Sequence, residues 1–215
     1  MSWSVSAFLL LFAALAAGFV WYERSRPPAK LVALVAALAA LAVAGRVAFA
    51  PIPNVKPTTD IIILAGFALG AAPGFTVGAV TALASNVLFG QGPWTPWQMV
   101  AWGLCGVAGA LLGRATGRSL GRWPLALFCG LAGLAFGAIM DLSTWTTYTG
   151  AHSLQEYLVI SATSLPFNLA HAAGNVIFCA AFGPAFLRAL LRYRERFTVR
   201  WQPVAAAGLV ALGLL

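Results

Sequence analysis

Two short polar segments carry the residues best suited to binding a small molecule. The first places an amide, an ammonium and a carboxylate at Asn54, Lys56 and Asp60. The second, at 90–98, reads GQGPWTPWQ. Its prolines lower the entropy that a loop loses on closing, and its indole rings offer flat apolar faces with one N–H donor each. Together with a nearby amide they form the first set of candidate ligand contacts, Asn54, Lys56, Asp60, Asn86, Gln91, Trp94, Trp97 and Gln98.

Some of these residues also have a simpler, structural interpretation. The structural role and the ligand contact both stay open at this point. Trp94 and Trp97 can serve as anchors at the membrane–water interface. Asp60 can stabilise the first turn of a helix, where the helix dipole favours an anion. The interleaved prolines, glycines and glutamines favour a ligand lid over plain anchors.

A later apolar run ends with Asp141, Trp145 and Tyr148, which share one helical face. Trp145 and Tyr148 complete the candidate contacts. A carboxylate inside a membrane helix costs roughly 2.5–3.5 kcal/mol and therefore has a partner. Arg46 is the expected partner of Asp141, in a structural ion pair or beside a ligand.

The following run carries a polar stripe at Ser164, Asn168, His171 and Asn175. The stripe predicts hydrogen bonds between helices or a polar site. With Asp141 it also supports an alternative function, a proton-coupled secondary transporter.

The composition places these residues in a membrane protein. The chain of 215 residues is 61% hydrophobic and 8% charged, whereas soluble domains have about 25% charged residues. It predicts an all-α polytopic membrane protein with seven spans and a short apolar C-terminal stub. The predicted spans are 5–22, 30–50, 58–72, 75–90, 99–113, 123–148 and 166–187, and the stub is 204–215.

The basic residues predict the topology. They cluster at 24–30, 114–122 and 188–200, which follow spans one, five and seven and so lie on one side. By the positive-inside rule this side is cytoplasmic, and the polar loops and the N-terminus lie outside. Two crossings or a re-entrant hairpin at 58–90 satisfy the rule equally.

No catalytic motif is present, and no enzyme activity, cofactor or metal is expected. The three cysteines, Cys105, Cys129 and Cys179, lie in apolar runs without CxxC spacing, and we expect them to act as small hydrophobic residues. Span two repeats alanine at Ala33, Ala36, Ala37 and Ala40, a surface that lets another helix approach closely.

The segments PNVKPTTD and GQGPWTPWQ, within 46–106, resemble the membrane-embedded substrate-binding (S) components of energy-coupling factor (ECF) vitamin transporters. The branch with cobalamin-specific members is the most similar. The resemblance implies a six-helix bundle and a vitamin site near the outer face of a bacterial cell membrane. It also implies that the alanines of span two dock a transmembrane coupling subunit, which two ATPase subunits drive.

These inferences divide the chain into an extra N-terminal transmembrane helix with its linker (1–28), the substrate-binding bundle (29–200) and the stub (201–215). The expected function is vitamin capture for an ATP-driven importer. Cobalamin is the first expectation for the vitamin, followed by riboflavin or a deazapurine-type precursor. A third alternative is a membrane scaffold subunit without transport activity.

Overall fold

The computed structural model describes residues 3–195, and within this range all regular structure is helical. The helices are α1 (Trp3–Arg24), α2 (Ala29–Ala48), α3 (Thr58–Leu69), α4 (Ala71–Phe89), α5 (Thr95–Ala115), α6 (Arg122–Tyr148) and α7 (Leu154–Glu195). Five of them, α1, α2, α4, α6 and α7, are long and apolar enough to cross a membrane. The prediction of an all-α polytopic membrane protein is confirmed. The predicted stub lies outside the described residues.

Helix α3 is the centre of the bundle. It packs against α2, α4, α5, α6 and α7, and every residue from Thr58 to Ala68 is buried. A helix that is apolar all round and touches five neighbours has no face left for lipid.

Helix α3 is also short, and its shortness leaves space at one end of the bundle. Its 12 residues span about 18 Å, against roughly 30 Å for the hydrocarbon core. Phe67 lies against Gly113, near the end of α5, whereas Thr59 meets Trp102, the eighth residue of α5. The C-terminal ends of the two parallel helices therefore lie at the same depth in the bundle. The N-terminal end of α3 lies about 10 Å deeper in the bundle than that of α5.

The turn between α3 and α4 differs from the prediction. It was expected at Pro73-Gly74, but it lies at Gly70, whose φ of 112° suits glycine. Pro73 belongs to the first turn of α4. Proline is tolerated there because a first-turn N–H has no partner within the helix.

Helix α7 also differs from the prediction. Residues 149–165 were expected as an outer segment, with a helix opening at Pro166, but α7 begins at Leu154 and continues through Pro166 and Pro184. A capping box explains the early start, since the Ser153 hydroxyl accepts from the Glu156 N–H and the Glu156 carboxylate accepts from the Ser153 N–H, both at 3.2 Å. Prolines persist inside membrane helices when neighbouring groups satisfy the freed carbonyls.

The tryptophan segment is a loop only in part. Thr95 begins α5, so 95–98 is helical and Gly90 to Trp94 forms the connection. The Thr95 hydroxyl holds this connection by accepting from the Gly92 N–H (3.3 Å) and donating to the Gln91 side-chain oxygen (2.9 Å).

Helix α1 packs against α4, α5 and α6. Its small residue Gly18 lets the Phe75 ring approach, and Phe19 meets the same ring edge to face at 6.3 Å. At the other end, the Ser4 hydroxyl donates to the carbonyl of Thr146, at the end of α6 (2.8 Å).

Candidate functional site

A polar cavity occupies the space above the start of α3, with a volume of about 260 Å³. It lies at the end of the bundle opposite the three basic clusters, whose described members lie at or beside the ends of α1, α5 and α7 and the starts of α2 and α6. Every helix from α2 to α7 except α4 contributes to its wall. The lining residues are Arg46, Asn54, Lys56, Thr58, Thr59, Gln98, Trp102, Phe136, Gly137, Met140, Asn168 and His171.

Aromatic rings form one wall of the cavity. Trp102 and Phe136 stack at 5.0 Å between centroids and 25° between planes. His171 meets Phe136 edge to face at 5.2 Å. The Trp102 indole N–H donates to the Thr59 hydroxyl (3.1 Å), which also lies 2.9 Å from Nε2 of His171. These bonds fix the rings as a rigid surface against which a flat ligand can lie.

A half-buried arginine, Arg46, lies beside the aromatic rings of the cavity wall. Arg46 donates to the Ser85 hydroxyl and to the side-chain oxygen of Asn86 (2.7 Å). Its guanidinium also lies over the rings of Phe89 (4.8 Å) and Trp102 (5.2 Å). Neutral amides, hydroxyls and π faces therefore hold this charge, and the predicted ion pair with Asp141 is wrong.

Asp141 has other partners. Its Oδ2 accepts from the Ser164 hydroxyl (2.8 Å) and from the Asn168 amide (3.2 Å), and Asn168 also donates to Ser164 (3.0 Å). Part of the predicted stripe on α7 thus forms interhelical hydrogen bonds. The network also fixes Asn168, which lines the cavity.

Lys56 brings a second positive charge to the cavity. Burial lowers the pKa of Lys56 from its usual value, and the nearby Arg46 charge lowers it further. Among residues 3–195, no carboxylate lines the cavity, so both charges face it without an acidic partner there. The site is therefore suited to a ligand with electron-rich oxygens or a negative charge.

Three of the predicted contacts line the cavity: Asn54, Lys56 and Gln98. Asn54 has a positive φ of 57° and donates to the carbonyl of Phe167 (3.2 Å). Asn86 lies one layer behind, where its amide donates to Gln98 (2.7 Å) and to Thr95 (3.0 Å). The hydrogen bonds that run from Arg46 to Asn86 and from Asn86 to Gln98 orient the Gln98 side chain.

The other predicted contacts lie elsewhere. Gln91 donates to the carbonyl of Leu83 (3.0 Å), and Trp94 packs over Gly92. Trp97 and Trp145 line an apolar groove beside α1. Tyr148 is exposed, and Asp60 is fully buried below the cavity floor, one residue beyond Thr59. A role for these residues in ligand binding stays a prediction.

Sequence reasoning did not select several residues of the wall, notably Trp102, Phe136 and Met140. Two spacings in the sequence point to these residues. Trp102 follows Gln98 at a spacing of four, and Met140 follows Phe136 at the same spacing, so each pair shares one helical face. Trp102 and Phe136 looked like ordinary apolar core residues because only the packing of α5 on α6 brings them together.

A comparison with protein families relates most of the chain to a known family. Residues 28–192 match the model of a family described as the S component of ECF-type riboflavin transporters. No curated protein and no solved structure matches the chain. The match supports the expected ECF S component and indicates the riboflavin type, whereas the cobalamin-type branch finds no support. This chain, an integral membrane protein with a polar cavity at one end of its bundle, belongs to the family of ECF-type riboflavin transporter S components.

Proposed function

We propose that the cavity captures a flavin, with riboflavin as the vitamin. The observation that carries the proposal is the composition of the cavity wall, which joins an aromatic face to amide, hydroxyl and cationic groups. The name of the matching family supports the same choice.

The chemistry of a flavin suits this wall. Its tricyclic ring is flat and apolar along one edge and carries carbonyl and imide groups along the other. The stacked pair Trp102 and Phe136 offers the apolar face. The amides of Asn54, Gln98 and Asn168 can pair with carbonyl and imide groups, since each amide both donates and accepts.

The size of the cavity favours a flavin over a corrinoid. Its volume of about 260 Å³ is close to the lower end of typical small-molecule sites, roughly 300–1,000 Å³. A corrinoid with its nucleotide arm is several times larger than a flavin. Cobalamin would require the helices around the cavity to move apart.

The positive-inside rule supports an outward-facing cavity. The three basic clusters lie at the opposite end, so the cavity and the N-terminal end of α1, near Thr146, would both face the exterior. The vitamin would then enter from outside, as capture requires.

The surface of α2 supports docking of a transmembrane coupling subunit that two ATPase subunits drive. Ala33, Ala36, Ala37 and Ala40 are all exposed on α2. Helix α1 packs on α4, α5 and α6 and leaves this surface uncovered. Small side chains let a partner helix approach closely.

Riboflavin binding to the purified full-length protein tests the proposal, with quenching of flavin fluorescence as the signal. Trp102→Ala is expected to weaken binding about tenfold or more. Trp97→Ala is the matched control, because both tryptophans are buried on α5 but Trp97 faces the groove beside α1. The control should bind like the wild type.

Two results would count against the proposal. An equal loss in Trp97→Ala would move the site to the tryptophan segment. If the wild-type protein binds cobalamin or a deazapurine precursor and does not bind riboflavin, the assignment of riboflavin as the vitamin is wrong.

A further inference from the structure

Three polar side chains from distant parts of the sequence meet below the cavity floor. Asp60 of α3, Cys129 of α6 and Cys179 of α7 place a carboxylate oxygen and two Sγ atoms within 4.8 Å of one another. All three residues are fully buried. We call them the Asp-Cys-Cys cluster. The transport function proposed above does not use it.

The carboxylate of this cluster lacks a conventional partner. Among the described residues, no N–H or O–H group donates to either oxygen of Asp60, and the groups that face it are the thiols of Cys129 and Cys179, which are weak donors. A buried carboxylate without a partner is costly, and it normally pairs with a charge or coordinates a metal. This orphaned group points to a missing positive ligand.

A second orphaned oxygen lies in the same region. Asn175 precedes Cys179 by one turn of α7, and its amide donates to the carbonyl of Cys129 (3.2 Å). Its side-chain oxygen is buried and has no partner. This oxygen is a candidate for a fourth ligand beside the cluster.

We propose that Asp60, Cys129 and Cys179 bind a thiophilic divalent cation of the Zn²⁺ type. One carboxylate and two sulfurs are a donor set that suits Zn²⁺, with Zn–S bonds of about 2.3 Å. Two sulfurs on one tetrahedral ion lie about 3.8 Å apart, which the observed spacing reaches with a small movement.

The charge balance is consistent with such a site. The two thiolates neutralise a divalent ion, and the Asp60 carboxylate leaves the filled site with one net negative charge, against three for the same deprotonated ligands without the ion. Each thiol that coordinates releases its proton to solvent. The ion would join α3, α6 and α7 beneath the cavity.

Titration of the purified full-length protein with Cd²⁺ tests the proposal, in the presence of a non-thiol reductant. Cadmium–thiolate bonds absorb in the ultraviolet, so binding is read directly. We expect one Cd²⁺ per chain, displaced by Zn²⁺. Cys129→Ala and Cys179→Ala should each weaken binding about tenfold or more.

The third cysteine supplies a matched control. Cys105 is equally buried, but on α5 and outside the cluster. Cys105→Ala should bind Cd²⁺ like the wild type. Asp60→Asn keeps both sulfurs and should retain the thiolate absorption with weaker binding. Thermal unfolding of each variant in detergent shows that it is folded, so this test does not depend on the identity of the vitamin.

Three results would overturn the proposal. The first is a folded wild-type protein without cadmium–thiolate absorption, which would indicate a protonated Asp60 packed against two thiols. The second is equal Cd²⁺ affinity in the Cys105 and Cys179 variants. The third is a Cys129–Cys179 disulfide in protein isolated from its native membrane.

Discussion

Two positively charged side chains face the cavity, and their burial has a cost in the empty protein. Arg46 offsets the cost through Ser85, Asn86 and two aromatic rings. Lys56 is half-buried, and its pKa is lowered by burial and by Arg46. The protein therefore keeps a charge that weakens its own folding, which is typical of a residue placed for a ligand.

Replacing this lysine should separate stability from binding. We expect Lys56→Gln to raise the melting temperature of the ligand-free protein near neutral pH and to weaken riboflavin binding about tenfold. Thermal unfolding and fluorescence titration measure the two effects. A variant that is less stable, or that binds normally, would contradict this assignment of Lys56.

The sign of the pH dependence follows from the direction of the shift. In the folded protein the pKa of Lys56 lies below its usual 10.5, so the unfolded chain binds more protons between the two values. Stability from this group therefore rises with pH across that window and is constant above 10.5. The melting-temperature difference between Lys56→Gln and wild type should shrink as the pH rises through the window just below 10.5.

At the scale of the helices, close backbone contact holds α3, α4 and α5 together. A Cβ added at Gly106 would lie 2.2 Å from the carbonyl oxygen of Gly74, and one added at Gly66 would lie 1.8 Å from that of Gly106. Without side chains at these points the backbones touch. Helices in lipid have no hydrophobic driving force for association, so the dispersion contacts between these backbones hold them together. We call the contacts of Gly66, Gly74 and Gly106 the glycine seam; it holds Trp102 and Thr59 in register at the cavity.

A single methyl group should open the seam. Gly106→Ala is expected to lower the free energy of unfolding by about 1–3 kcal/mol and to weaken riboflavin binding, because α5 must move away from α4. Gly121→Ala is the control, since its added Cβ meets only Pro124 at 3.7 Å. Thermal unfolding in detergent compares the two. Equal destabilisation by both changes would show that the seam is not specific.

At the scale of the whole molecule, the extra helix and the α2 surface lie on separate sides. Helix α1 covers α4, α5 and α6, whereas the four exposed alanines of α2 remain free. An apolar groove between α2 and α4 adjoins them. The additional helix thus leaves room for a partner on α2.

Enlarging one of these alanines should separate capture from transport. We expect Ala36→Leu to bind riboflavin like the wild type but to abolish most riboflavin uptake by cells that contain the energising subunits. Ala135→Leu, at an exposed alanine of α6, is the matched control and should transport normally. Uptake that survives Ala36→Leu, or that needs no ATPase, would contradict docking at this surface.

Much of the fold could be predicted from the sequence because membrane helices follow from long apolar runs. Charge asymmetry also predicted which ends of the helices lie together. The predicted start of α7 at Pro166 was wrong. Ser153 and Glu156 have the spacing of a capping box, but the proline was taken as the stronger signal for a helix start. The turn at Gly70 was missed for the same reason, since Pro73-Gly74 resembled a stronger turn signal.

The site was less predictable because it depends on rotation of each helix about its axis. Asn54, Lys56 and Gln98 face the cavity, but Trp97, only one residue before Gln98, faces α1. One residue rotates a helix by about 100°, and apolar runs such as these give weak signals for the inward face. The Asp-Cys-Cys cluster joins residues from three helices, so no spacing along the chain could reveal it.

The shortness of α3 has a consequence for biogenesis. A 12-residue apolar helix is shorter than the roughly 17 residues that a helix needs to cross the hydrocarbon core on its own. Helix α4, with 19 residues, meets that requirement. We therefore expect the two helices to enter the bilayer together, as a hairpin bent at Gly70. Helix α3 is then synthesised before α4, the segment that is long enough to hold the pair in the membrane.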